Sequence, residues 1–141
     1  MKKIIIVFAL LFYSCGTETE VPQDEQNPIF TIKYGEVQNI NYLNLQVGFR
    51  DVDEDSRCPQ NVVCNWEGAA KLSLWIKAAG KDTINIIAPI HGYVSSADTL
   101  RHIYFDTLGY NISVLQLDPY PIAGTTFQKQ NYTALIKLLK K

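Results

Sequence analysis

Four stretches of this chain alternate apolar and polar residues with a period of two, and that pattern limits the fold more than any other feature. Leu43, Leu45, Val47 and Phe49 alternate with Asn44, Gln46 and Gly48. Ala70, Leu72, Leu74 and Ile76 alternate with Lys71, Ser73, Trp75 and Lys77. Tyr110, Ile112 and Val114 alternate with Asn111 and Ser113, and Tyr132, Ala134, Ile136 and Leu138 repeat the pattern near the end. Successive side chains of a strand point to opposite faces, so each segment has one apolar face to bury. Gly80-Lys81-Asp82 reads as a turn returning the chain into a strand over 83–88. Asp118-Pro119 ends the third segment, because proline removes a donor and restricts its predecessor.

Weaker strand signals over 30–34 and 99–108 bring the expected total to about seven. Seven short strands at these spacings predict an all-β fold, an antiparallel β-sandwich or alternatively a small β-barrel. The only helical rival is 132–141, where Ala134, Leu135, Leu138 and Leu139 would also make a stripe. Apolar residues are 47 % of the 141, enough for one core and one folded domain.

The first residues read as an address. Lys2 and Lys3 precede an unbroken apolar run from Ile4 to Tyr13. A membrane-spanning helix needs about 20 such residues, whereas a run of this length fits a secretory signal peptide. Ser14-Cys15-Gly16 follows, and a small residue and Cys at that place resemble a bacterial lipoprotein processing site. The expected organisation is a signal peptide over 1–14, a lipidated Cys15 opening an acidic flexible tether over 15–28, and one β domain over 29–141. The tether carries Glu18, Glu20, Asp24 and Glu25 and no basic residue. Its acidic residues resemble surface-export signals of lipoproteins in the Bacteroidota. An exported protein held in the bacterial outer membrane by its lipid is the expected location, on the periplasmic or the surface face.

With Cys15 lipidated, Cys58 and Cys64 remain as an even pair in an oxidising compartment, which predicts a disulfide. The ring it closes is short, so the bond freezes a loop and does not staple distant strands. Around it the chain reads Asp55-Ser56-Arg57-Cys58-Pro59-Gln60-Asn61-Val62-Val63-Cys64-Asn65-Trp66-Glu67-Gly68. This resembles the D-S-R-C-P-x-x-V-x-C-x-W-x-G signature of a family of small bacterial envelope proteins, many of them predicted lipoproteins. The usual small residue between Trp and Gly is Glu67 here. The resemblance implies an envelope location and a β domain, and it adds no activity.

Two readings of this loop follow from its residues. In the architectural one, Arg57 clasps a carboxylate among Asp53, Glu54, Asp55 and Glu67, while Trp66 covers the disulfide and buries its ring. In the functional one, a braced loop displays Arg57, Gln60, Asn61, Asn65 and Trp66 to a partner, either an envelope protein or a glycan. Presented to an envelope hydrolase, the same loop would act as an inhibitor.

Asp51, Asp53 and Asp55 alternate just before the loop, and with Glu67 they could make an irregular calcium site. An EF-hand is excluded, since Ser56 and Val62 stand where its Gly and Glu would be. Without a metal the same residues make a solvated acidic turn partly neutralised by Arg57. A zinc set of Cys58, Cys64, His91 and His102 has spacings unlike compact zinc motifs. No other cofactor is expected.

Catalysis finds no frame. No G-x-S-x-G elbow surrounds any Ser, the Ser95-Ser96 pair near His91 is not a motif, and no Gly-rich phosphate loop is present. A sandwich of this size leaves little room for a paired-carboxylate groove. The net charge of −1 and the absence of basic runs longer than two argue against a nucleic-acid partner. Pro119-Tyr120-Pro121 is a stiff turn with an aromatic tip, read as redirecting the chain or as a contact. The expectation is a non-catalytic, lipid-anchored binding or structural module.

Overall fold

The computed structural model describes residues 27–92, 98 and 101–141. The signal segment, Cys15 and nearly all of the tether lie outside the described residues. At its end, the Pro28 carbonyl accepts from the Leu138 amide at 3.0 Å and the Asn27 side chain accepts from the Lys140 amide at 3.2 Å, so these two residues run beside the last strand.

The chain is all-β. Its strands are β1 (Ile29–Lys33), β2 (Val37–Ile40), β3 (Leu45–Asp55), β4 (Ala69–Ala78), β5 (Ile84–His91), β6 (Phe105–Thr107), β7 (Tyr110–Asp118) and β8 (Thr133–Lys140). They form two four-stranded antiparallel sheets, ordered β1-β8-β7-β6 and β2-β3-β4-β5. This is a sandwich and not a closed barrel. The 132–141 segment, which could also have made a helix, is strand β8, paired on both sides with β1 and β7.

The core is what the alternation predicts. Leu45, Val47, Phe49, Leu72, Leu74 and Ile76 of one sheet meet Ile112, Val114, Ala134, Ile136 and Leu138 of the other, all buried. Tyr34 packs edge-on against Phe49 with ring centroids 6.0 Å apart, where the chain leaves β1 for the second sheet. The β6–β7 hairpin turns through Leu108 and Gly109, both with positive φ, as a two-residue turn matched to strand twist requires.

Three expectations need correction. An eighth strand, β2, is present; of Val37-Gln38-Asn39-Ile40 only Ile40 is buried, so a short edge strand left no alternation to read. The weak signal over 99–108 yields strand only at Phe105–Thr107, with residues 101–104 outside any strand and residues 99 and 100 outside the described set. The acidic residues Asp51 to Asp55 form no turn, because they are the second half of the eleven-residue strand β3. Irregular register at Phe49/Asp51 and Val52/Glu54 breaks the period there, which is why the sequence hides this strand.

Candidate functional site

The end of the sandwich where β3 passes to β4 is assembled around Arg57. The two register shifts in β3 bring Asp55 opposite the fully buried Ala70, so its carboxylate turns inward. Arg57 is 3 % exposed and meets that carboxylate in a fork: Nε donates to Oδ1 at 2.8 Å and Nη2 to Oδ2 at 2.7 Å. Nη1 donates to the Leu117 carbonyl at 2.7 Å and Nη2 to the Pro119 carbonyl at 3.2 Å. The Tyr120 ring lies 4.8 Å from the guanidinium carbon. Tyr132 donates its hydroxyl to Asp55 Oδ2 at 3.0 Å. A planar, five-donor guanidinium suits this work, because it holds a carboxylate and two carbonyls at once.

Burial and the Asp55 carboxylate, which the hydroxyl itself contacts, push the Tyr132 phenol up to about 12. The Tyr120 phenol is also raised, chiefly by burial, with Arg57 pulling the other way.

From this anchor the loop runs outward. Ser56 and Ala69 prolong the hairpin, the Ser56 amide donating to the Ala69 carbonyl at 2.8 Å, and the Cys58 amide donates to Glu67 at 2.8 Å. Gly68 has φ +68, and a Cβ there would overlap the Ser56 backbone, so only glycine closes the neck. Cys58 and Cys64 are disulfide-bonded with Cα atoms 6.0 Å apart. Two bonds then tie the ring sideways to the β7–β8 connection. The Gln60 amide donates to the Pro121 carbonyl at 3.1 Å, and Asn61 Oδ1 accepts from the Ala123 amide at 2.7 Å.

Several expected roles change. Arg57 is not displayed: it is the internal clasp, and of the four carboxylates near it in sequence it takes Asp55. Trp66 does not bury its ring, since its residue is 71 % exposed. Asn61 faces outward but uses its side chain to cap the neighbouring loop. Gln60 and Asn65 are exposed as expected. Sequence reasoning passed over Val62 and Val63, which are both exposed, Val63 completely. Apolar residues at the tip of a loop carry no motif; their position inside a ring of seven was the available signal.

The acidic residues are not gathered. Asp51 accepts from Lys129 Nζ at 2.6 Å, Asp53 from Ser73 at 2.7 Å, and Asp55 from Arg57, while Glu67 pairs with Arg101. Each carboxylate thus has a different partner, and among the described residues no three His, Cys, Asp or Glu side chains cluster to share a metal. Cys58 and Cys64, two members of the zinc set already set aside on spacing, are joined to each other as a disulfide. His91 is exposed at the end of β5 and His102 is buried.

A second concavity lies on the outer face of sheet β2-β3-β4-β5. It is an open groove of about 340 Å³ lined by Asn39, Asn41, Asn44, Gln46 and Lys77 with nearby backbone. A small crevice lined by Ile90, Gln116, Leu117 and Tyr120 borders Arg57 itself.

No family model matches the chain, and no curated protein or solved structure matches it. Fold and site therefore define a class only: a two-sheet β-sandwich with a disulfide-braced, Arg-clasped loop at one end.

Proposed function

We propose that this chain is an exported envelope protein, lipid-anchored through Cys15, whose sandwich serves as a non-catalytic binding module. Its contact surface is the apolar loop tip of Val62, Val63 and Trp66, rimmed by Gln60 and Asn65, and its partner is another envelope protein. One observation carries the reading. The tip is fixed by a disulfide, a buried Arg clasp and two bonds to the next loop, yet its largest apolar side chains face solvent. Water penalises such exposure, and isolated exposed residues of this kind are common, but here three fall within five consecutive residues of one braced loop. Prior rigidity lowers the ordering cost of association, and tryptophan is among the residues that most often dominate binding energy. The envelope assignment is supported by the signal-like start, Cys15 and the D-S-R-C-P signature.

The test is a photo-crosslinking residue at position 63 of the full chain in native envelopes. A second sample carries it at position 81, in the β4–β5 turn at the other end. A single protein joined only from position 63, and lost with Trp66→Ala, is the expected result. A hydrolase as that protein selects the inhibitor form of this reading. Equal products from both positions, or none from position 63 with the probe shown active, overturn it.

A further inference from the structure

We infer that the outer face of sheet β2-β3-β4-β5 is a carbohydrate site, with Trp75 as its stacking surface and a row of side-chain amides as its hydroxyl readers. The inference is independent of the loop tip, which lies elsewhere on the molecule.

Strand register assembles the surface. Val37, Gly48, Trp75 and Asn85 form one cross-strand row, and Asn39, Gln46 and Lys77 form the next. The rows are two residues apart along each strand, about 7 Å. A Cβ at residue 48 would overlap the indole of Trp75, so glycine is what lets the ring lie down across β3. Trp75 stays half-buried and retains an outward surface, with the exposed Val37 beyond Gly48 in the same row. A tryptophan laid on the sheet, two residues along β4 from the groove-lining Lys77, offers its outward π-face.

The groove next to it has a distinct chemistry. Asn39, Asn41, Asn44 and Gln46 line it, and among the described residues Lys77 is the only charged side chain that does. Gln46 Nε2 donates to Asn39 Oδ1 at 2.8 Å, which leaves an amide NH2 on Asn39 and a carbonyl oxygen on Gln46 for a ligand. Hydroxyl groups donate and accept alike, and amides are the side chains that offer both in one plane. A pyranose ring adds a face of C–H bonds, whose partial positive charge suits the negative face of indole. The volume of about 340 Å³ lies at the small end of ligand sites, which run from about 300 to 1,000 Å³. Among the described residues a metal cation finds no anionic donor in this lining, and an extended apolar ligand finds too many amides. A neutral or singly acidic oligosaccharide meets both halves of the surface.

The experiment uses the full chain with Trp66→Phe, which leaves Trp75 as the sole tryptophan of the two in the sequence. Three probes are titrated: chitohexaose, cellohexaose and sialyllactose, the last carrying a single carboxylate. The expected result is a saturable shift of Trp75 emission with at least one probe, with Kd of about 0.1–1 mM. Calorimetry on the unsubstituted chain should then show affinity falling about tenfold in Trp75→Ala and in the double variant Asn39→Ala, Gln46→Ala. Gly48→Ala, which keeps the tryptophan but lifts its ring, should weaken binding comparably and guards against a misfolded Trp75→Ala. No saturable response with any probe at about 10 mM overturns the inference. So does affinity unchanged in Gly48→Ala and the amide variant, or self-association through Trp75 without sugar binding.

Discussion

The two exposed surfaces of this sandwich reach a fixed shape by opposite means. At the β3–β4 end a loop of irregular backbone is held by cross-links: Arg57 joins it to Asp55 and to the carbonyls of Leu117 and Pro119, and the disulfide closes its tip. On the outer face of sheet β2-β3-β4-β5 no cross-link is needed, since the strand ladder places Asn39, Gln46, Gly48, Trp75 and Lys77. Removing one tie at the loop end should therefore disturb many residues, whereas a change on the sheet face should stay local.

Arg57→Ala tests this most severely. It leaves the inward-facing Asp55 carboxylate without its cation and two carbonyls without a donor. Breaking a buried pair by deleting one partner costs about 3–5 kcal/mol. Denaturant titration should show that loss, and amide exchange should speed up through both the 56–68 and 119–123 segments. A loss under about 1 kcal/mol would mean that water reaches the pair and that the clasp is not what holds this end.

Opening the ring is the next step down. For a ring of seven residues, the chain-entropy estimate for Cys58→Ser with Cys64→Ser is about 2–2.5 kcal/mol. The bonds from Gln60 and Asn61 to the neighbouring loop should then loosen while the sandwich persists. On the sheet face, Gly48→Ala forces Trp75 to move, at about 1–3 kcal/mol for overpacking. Its exchange effects should stop at β3 and β4, and spread to the Cys58–Cys64 loop would break the contrast.

The pH response sharpens the same division. The Tyr132 phenol titrates at about 12 in the fold against its ordinary value of 10.0. A raised phenol favours its protonated, neutral form in the folded state, so its stabilising contribution is intact below pH 10. It declines as pH rises from 10 toward 12, where the unfolded chain loses that proton first. Thermal melts should fall over that interval, and Tyr132→Phe should flatten the decline. A decline of equal size in Tyr132→Phe would place the alkaline weakness elsewhere.

The two surfaces also differed in how far the amino-acid order revealed them. Paired cysteines, a proline and an Arg set among carboxylates mark the loop within fourteen consecutive residues, so the disulfide and an Arg–carboxylate clasp were legible. The core was legible for a similar local reason: Leu72, Leu74 and Ile76 declare their face by alternation alone. The Arg57 bonds to Leu117 and Pro119 were not, because they join residues about sixty positions apart through backbone carbonyls, which carry no residue-type signal. The Trp75 surface was hidden by the same distance effect. Gly48 and Trp75 are neighbours only through β3–β4 register, and β2, which supplies Asn39, has one buried residue to announce it.

Trp66→Ala should have the smallest effect on stability. The side chain is mostly in solvent, so its removal should change unfolding by no more than about 0.5 kcal/mol. Arg57→Ala shows whether the loop is held, whereas Trp66→Ala asks what the held loop is for. If the tip is a contact surface, crosslinking from position 63 should vanish while the melting curve stays put. That outcome separates recognition from architecture, because a residue that only completes the fold cannot lose a partner without losing stability. A large fall in stability instead would show Trp66 packed in solution, and the loop would then be a structural closure of the sandwich.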